Sequence, residues 1–432
     1  MIDLEANTHL AFLKNIGNSI VWIQVGNLLN GTSKKPIKKA NIVFDKNEIL
    51  FVGTENELPP KALIIDNRLT KINLSNYTLL PGLIDAHAHI FLEGAERDFE
   101  KRKVFISQTK EELFTAALNR MQKLLYTGVT GLRDGGDKDG IGLQLSALYK
   151  ANKKTIPYID SPGAAIHREG RYGRFIGSTL EQFNSVEECV KDRILKGADR
   201  IKLIPTGIIN FKKGTASAPP QMDLDLLKKF VEISKKYNKQ TFAHASGNKG
   251  IQYVIDAGID SVEHGFFISS DQLSLMRDKD IAWVPTFAPV QKQVDYAHEF
   301  GWDQLIISNL KTILENHAIS LLEASQKGVK IIAGSDAGSV GVAHGLGFLY
   351  ELELMENTGM KPIEIINSAT GVSYDRFCYS EKIGKIASGF KPRMIFTKHN
   401  VLQSVKEIQK EKFTFFDGNL YQFNKNTDLQ GL

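Results

Sequence analysis

Between Leu83 and Asp336 the chain repeats one pattern eight times: a short apolar run of β type, in most cases with a polar residue at or near its end and a helical pattern before the next run. The runs are Leu83-Ile84-Asp85-Ala86-His87, Val129-Thr130-Gly131-Leu132-Arg133-Asp134, Pro157-Tyr158-Ile159-Asp160 and Arg200-Ile201-Lys202-Leu203-Ile204. They continue with Gln240-Thr241-Phe242-Ala243-His244, Ser261-Val262-Glu263-His264, Ile281-Ala282-Trp283-Val284-Pro285 and Val329-Lys330-Ile331-Ile332-Ala333-Gly334-Ser335-Asp336. Strands joined through helices cannot pair as hairpins, so they form a parallel sheet covered on both faces. The helices are legible too. Thr109-Lys110-Glu111-Glu112 is a capping box. Leu113, Ala117, Met121 and Leu124 form an apolar stripe at helical spacing, and Gly128 is placed to end that helix. Leu224 to Tyr237 and Leu305 to Gln326 read the same way. Eight alternations suit a (β/α)8 barrel, with a doubly wound open sheet as the alternative. The barrel is favoured because the polar residues fall at the C-terminal ends of many different strands, where barrel enzymes place their chemistry.

Both chain ends are β-rich instead. Ser19 to Val25, Ala40 to Phe44 and Ile49 to Val52 are β-branched or aromatic runs, as are Met394 to Thr397, Phe413 to Phe416 and Asn419 to Phe423. Asp417-Gly418 is a hairpin signal. The two ends would make one small sheet domain if the middle folds back on itself.

Composition narrows the class. The 432 residues are 42% hydrophobic and 24% charged, ordinary for a globular protein, and the +5 net charge is spread over many lysines without a dense basic block. A nucleic-acid tail is therefore not expected. Cys189 and Cys378 are the sole cysteines, which excludes a disulfide scaffold and points to a reduced, cytoplasmic setting. Met1-Ile2-Asp3-Leu4-Glu5-Ala6 has no basic region leading into an apolar one, and no apolar run approaches the ~20 residues of a membrane span. A membrane partner is not expected, and a homo-oligomeric state is left open.

The strand ends hold the chemistry. Residues two apart on a strand share a face, so His87 and His89 point the same way. Lys202, His244, His264 and Asp336 end further strands. Alone, each has an ordinary explanation: a core histidine, a snorkelling lysine, a turn aspartate. Together they offer four imidazoles, an amine and a carboxylate to the mouth of one barrel, and imidazole suits zinc, iron and nickel.

These residues resemble the amidohydrolase superfamily, in particular its binuclear-metal members of the imidazolonepropionase-like and prolidase-like group. The likeness rests on Pro81-Gly82-Leu83-Ile84-Asp85-Ala86-His87-Ala88-His89, Ile201-Lys202-Leu203, Phe242-Ala243-His244, Val262-Glu263-His264-Gly265, Ala333-Gly334-Ser335-Asp336-Ala337-Gly338, His344-Gly345 and Ser368-Ala369-Thr370. It implies a TIM barrel over 79–380 and a small β-sandwich built from 1–78 and 381–432. It also implies two divalent ions: His87, His89 and Asp336 on the first, His244 and His264 on the second, and Lys202, carboxylated by carbon dioxide, bridging the pair. Zinc is favoured by abundance and ligand type. A metal-bridging hydroxide would attack an amide, and Asp336 would carry its proton to the leaving nitrogen.

The expected substrate is a dipeptide or N-acyl amino acid with a free carboxylate. Within the same fold the alternative is a deaminase or an imidazolonepropionase-like cyclic amidohydrolase. Lys202 weighs against it, because single-metal deaminases of the superfamily generally lack that lysine. A non-catalytic scaffold is disfavoured because all six ligands are present. The chain departs from the family's glycine-rich stretch after the third strand, where Ala165 to Arg174 stands. It departs again after the fourth, where Thr206 to Lys213 replaces a small-residue run, and at Gly389 to Ile395 near the C-terminus. The first departure brings His167, Arg168, Arg171 and Arg174, the second Lys212 and Lys213. Arg171 or Arg174 is expected to bind the substrate carboxylate, with His167 in the same loop and His344 as a further polar contact.

Overall fold

The computed structural model describes residues 12–151, 155–424, 426, 427 and 429. Met1 to Ala6, read above for an export signal, lies outside them. In chain order the strands are β1 (Ile20–Leu28), β2 (Ile37–Phe44), β3 (Ile49–Gly53) and β4 (Leu69–Pro81), then β5 (Leu83–Ala88), β6 (Val129–Asp134), β7 (Tyr158–Asp160), β8 (Ala165–His167) and β9 (Gly177–Thr179). They continue as β10 (Ile201–Leu203), β11 (Ile209–Asn210), β12 (Thr215–Ala216), β13 (Thr241–Ala245), β14 (Ser261–His264) and β15 (Ala282–Val284). β16 (Met394–Thr397), β17 (Lys412–Phe416) and β18 (Asn419–Phe423) end the series. Two compact units result, one holding the chain up to residue 84 with 122–131 and the chain from 361, the other holding 85–121 and 132–360.

In the first unit the two chain ends share one sheet, ordered β18-β17-β16-β4-β1-β2-β3. β1 and β4 pair in parallel and their neighbours antiparallel. Side chains alternate as the pleat requires: Val21, Ile23 and Val25 join the large apolar cluster with Phe44, Met394 and Phe415, while Ile20, Trp22 and Val43 join a smaller one. Each such burial is worth roughly 1.5–3 kcal/mol. Asp417 and Gly418, at φ +46° and +86°, make the tight turn between β17 and β18. β4 escaped the sequence reading because Lys71, Asn73, Ser75 and Asn76 interrupt its apolar residues; its signal is the alternation of buried Ile72 and Leu74.

The second unit is the strand–helix alternation. β15-β14-β13-β10-β8-β9 form one parallel sheet and β5-β6-β7 a second, so the fold is α/β with parallel strands. The helix Lys110–Thr127 begins with the expected capping box: Glu112 N–H donates to Thr109 Oγ1 at 3.3 Å, and Thr109 N–H to Glu112 Oε2 at 2.9 Å. Leu113, Ala117, Met121 and Leu124 are all buried, and Gly128 follows at φ +94°. Helices Leu224–Lys236 and Gln304–Lys327 match their sequence patterns within two residues.

Two places differ from expectation. The third strand forms as read, as β7, but the stretch after it, expected to be a loop, holds the short strand β8. The eighth, Val329 to Asp336, is not a regular strand. Ile331 bridges Trp283 and Ala337 bridges Ala88, while Ile332 N–H donates to the Trp283 carbonyl and Ala86 N–H to the Ala333 carbonyl. The segment thus spans from β15 to β5 through scattered bonds. Gly334 allows this close approach, since a Cβ there would lie 2.6 Å from Val284 Cγ1 and 2.9 Å from His87 N. No helix among the described residues is long and apolar enough to cross a membrane, and Cys189 (buried) and Cys378 (exposed) are free.

Candidate metal centre

His87, His89, Lys202, His244, His264 and Asp336 come from the ends of β5, β10, β13 and β14 and from the bridging segment, and all six line one cavity of about 260 Å³. The ligand atoms of His87, His89 and Asp336 lie within 4.8 Å of one another. Asp336 Oδ1 stands 3.5 Å from Nε2 of both histidines, and Asp336 Oδ2 accepts from Ser339 Oγ at 2.9 Å. The His87 and His264 ring centroids are 5.0 Å apart, and those of His264 and His244 4.4 Å.

Each imidazole is oriented from behind. His87 Nδ1 donates to Glu263 Oε2 at 2.5 Å, His89 Nδ1 to the Gly136 carbonyl at 3.0 Å, and His264 Nδ1 meets Thr286 Oγ1 at 2.7 Å. These three present Nε2 to the cavity. His244 is turned the other way, with Nε2 held 3.3 Å from the Gly207 carbonyl and Nδ1 left available. Burial is the first cause lowering the pKa of all four, to about 4 for His89 and about 3 for His244, so each is a neutral donor at pH 7. Burial likewise lowers Lys202 to about 8 and raises Asp336 to about 7.

Behind the histidines lies a buried charge network. Glu263 accepts from Arg133 Nη2 at 2.7 Å and from Ser261 Oγ at 2.5 Å, and Arg133 Nε donates to the Ala86 carbonyl. Asp85 accepts from Ser335 N–H and Oγ, tying β5 to the bridging segment. His264 and Asp336 at the cavity, and Thr286 behind His264, hold positive φ values of +67°, +53° and +50°, a costly conformation. Sequence reasoning assigned no role to Glu263, Arg133, Thr286 or Ser335. An acid and a base inside otherwise apolar strands, Glu263 and Arg133, were the available signal.

A divalent centre fits these residues on two observations. His87 Nε2 and Lys202 Nζ are buried without a hydrogen-bond partner, both facing the cavity. Neutral imidazoles, a carboxyl group and an amine whose proton burial makes easier to lose form a donor set for hard-to-borderline dications.

The basic loop is placed elsewhere. His167, Arg171 and Arg174 line a second cavity, of about 1200 Å³, that contains none of the six residues above. His167 Nδ1 donates to the Arg168 carbonyl, Arg171 Nη2 to the Pro219 carbonyl, and Arg168 pairs with Glu181. Within this loop Tyr172 and Phe175 take the histidine side, and the turns at Gly170 (φ +68°) and Gly173 (φ +127°) direct the arginines the other way. His344 is buried behind His89, with Nε2 3.1 Å from the His89 carbonyl, and does not line the cavity. Lys212 and Lys213 are exposed and line neither cavity. Besides Lys202, the histidine cavity is lined by Arg102, which sequence reasoning passed over. Its guanidinium donates to the carbonyls of Glu93, Glu96 and Gly338.

The amidohydrolase family model matches residues 78–421, and the chain belongs to that family. It is 26% identical to ochratoxinase of Aspergillus niger over 421 residues, covering 91% of this chain and 84% of that protein. A crystal structure of a Xaa-Pro dipeptidase with methionine bound in its active site superposes with a TM-score of 0.78 at 25% identity, covering 94% of this chain and all of that one. Imidazolonepropionase of Pseudomonas aeruginosa is 31% identical over 143 residues, 28% of this chain and 34% of that protein. The protein is a hydrolase acting on carbon–nitrogen bonds.

Proposed function

We propose that this chain is a two-metal amidohydrolase cleaving the amide of a dipeptide or N-acyl amino acid with a free carboxylate. The observation that carries the reading is the convergence of His87, His89 and Asp336 within 4.8 Å, beside the partnerless Lys202 Nζ. In this reading β5, β6, the β7–β8 pair, β10, β13, β14, β15 and the 329–337 segment form one eight-membered barrel over 79–380. The terminal sheet of 1–78 and 381–432 forms a small β-sandwich. His87, His89 and Asp336 would hold one ion, His244 and His264 the other, with zinc the ion favoured by the donor set and a cytoplasmic setting by the free cysteines. Lys202, whose amine form burial favours, would add carbon dioxide in that form, losing one proton, to give a carbamate between them. Two such ions, when bound, lower the pKa of water and polarise a carbonyl.

The protein's own groups do the rest. Asp336 takes the proton of the attacking water and gives it to the leaving nitrogen, which departs poorly unless protonated. Ser339 fixes Oδ2 of that carboxylate, leaving Oδ1 toward the histidines. Glu263 keeps the His87 proton on Nδ1, and Thr286 holds the His264 ring. Phe175, Ile208, Phe211, Phe266 and Val290 give the cavity an apolar wall for a substrate side chain or acyl group, and Arg102 supplies the positive charge for a carboxylate. A small cyclic amide is the second reading, favoured by the compact 260 Å³ cavity.

Metal analysis of protein purified without chelator, joined to a screen of dipeptides, N-acyl amino acids and cyclic amides, tests this. About two transition-metal ions per chain are expected, with turnover confined to amides. Folded protein that binds no metal and gains no activity on adding zinc, manganese or iron would end the proposal.

A further inference from the structure

Residues 171–177 wall two cavities at once. Tyr172, Phe175 and Ile176 line the histidine cavity, whereas Arg171, Arg174 and Gly177 line the larger one. The wall of the larger cavity carries six lysine and arginine side chains against two carboxylates, Asp139 and Glu169. Local pairing leaves much of that charge uncompensated. Lys138 meets Asp139, and Lys196 and Arg193 meet Asp192. Lys110 and Arg174 have no side-chain hydrogen bond or ion pair among the described residues, and Arg171 commits one nitrogen to the Pro219 carbonyl.

A concave wall of one charge sign concentrates counter-ions, and the planar arginine fork matches phosphate oxygens. At about 1200 Å³ the space exceeds the usual ~300–1000 Å³ of small-molecule sites. Leu143 and Phe183 add an apolar side to it. We propose that this cavity binds a small phosphate-bearing polyanion, and that its occupancy reaches the histidine cavity through residues 171–177. The link is tight at Gly173, where an added Cβ would lie 2.6 Å from Ile204 Cδ1 and 2.9 Å from His167 Cβ. A shift of the arginines therefore moves Tyr172, whose ring is 5.2 Å from that of His244. Binding stands apart from the hydrolase reading; only the kinetic half rests on it.

The test is calorimetric titration of the full-length protein as purified without chelator with inorganic pyrophosphate, and separately with citrate, in wild type and in Lys110→Gln/Arg174→Gln. Circular dichroism checks the fold, and Lys138→Gln, at a lining lysine already paired with Asp139, serves as a second variant. Saturable pyrophosphate binding, weakened at least tenfold in the double variant and less in Lys138→Gln, is the expected result, with citrate clearly weaker. Pyrophosphate should then change KM for an amide substrate at least twofold in wild type and not in the double variant. Absence of binding, equal binding in all three proteins (as chelation at the metal centre would give), or equal binding of citrate would overturn the site. An unchanged KM at saturating pyrophosphate would overturn the coupling. A double variant that instead loses affinity for free-carboxylate substrates, with no pyrophosphate site in wild type, would make the cavity part of the substrate site and refute the proposal.

Discussion

Among the described residues, two lysines are buried with no hydrogen bond at Nζ, and they have opposite meanings. Lys202, 2% exposed, and Lys412, fully buried, each lie near an aromatic face, Phe242 at 4.5 Å and Phe423 at 3.8 Å from the ring centroid. Burial lowers both, to about 8 and about 7. What separates them is their surroundings. Lys202 opens onto four imidazoles and Asp336, and Glu263 opposes its desolvation. Lys412 lies in the terminal sheet, where desolvation alone shifts it. An orphaned buried amine is thus a site only when other donors converge on the space in front of it.

The same substitution at both positions tests that contrast. Lys202→Met should remove bound metal and lower kcat/KM roughly a thousandfold or more, because two-metal catalysis supplies several kcal/mol at ~1.4 kcal/mol per decade. Lys202→Ala should behave alike and recover partly with short carboxylic acids that replace the carbamate. Retention of metal and turnover in Lys202→Met would erase the distinction between the two lysines.

Asp336→Asn should fold and lower amide turnover by about 10²–10³-fold, since an amide side chain cannot relay the proton. An ester substrate, whose leaving group needs no proton, should suffer less; equal losses on both would remove the proton-carrying role. Glu263→Gln should weaken metal binding about 10–100-fold, the usual cost of losing a carboxylate behind a ligating histidine. Metal-competition titration reads that out, and unchanged affinity would mean the network only packs the strands.

The smallest effect is expected at Lys412. Lys412→Met should leave turnover unchanged and stabilise the fold by about 1–3 kcal/mol at pH 7 and below, by removing a buried unpaired donor. The sign follows from its depressed pKa. Between pH 7 and about 10.5 the unfolded lysine holds a proton that the folded one has released, so wild-type stability from this group rises with pH. The advantage of methionine should therefore be full below pH 7 and fade toward pH 10. Denaturant unfolding across that range measures it, and a destabilised variant at pH 6 would show that the Phe423 contact outweighs desolvation.

Much of the molecule was legible in the chain. Helix Lys110–Thr127, with its capping box and apolar stripe, depends on contacts three and four residues apart, and it formed as read. The joining of the two ends in one sheet followed from their β-rich composition. β4, its apolar residues interrupted by polar ones, and the bridging segment at 329–337 were harder, because their pairing is set by partners distant in the chain.

The site divides along the same line. Residue identity and strand period were enough to nominate the four histidines, Lys202 and Asp336, since the end of a buried strand is a local property of sequence. Where a loop side chain faces is not. Gly170 and Gly173 turn the segment so that Tyr172 and Phe175 face the histidines and Arg171 and Arg174 face away, a choice made by packing against Ile204 and His167. Which imidazole nitrogen is presented was also decided in three dimensions, by Glu263, Gly136, Gly207 and Thr286 arriving from other elements. Local patterning determined which groups this protein has for chemistry; long-range packing decided their direction, because a side chain's partners come from whichever distant segment the fold lays beside it.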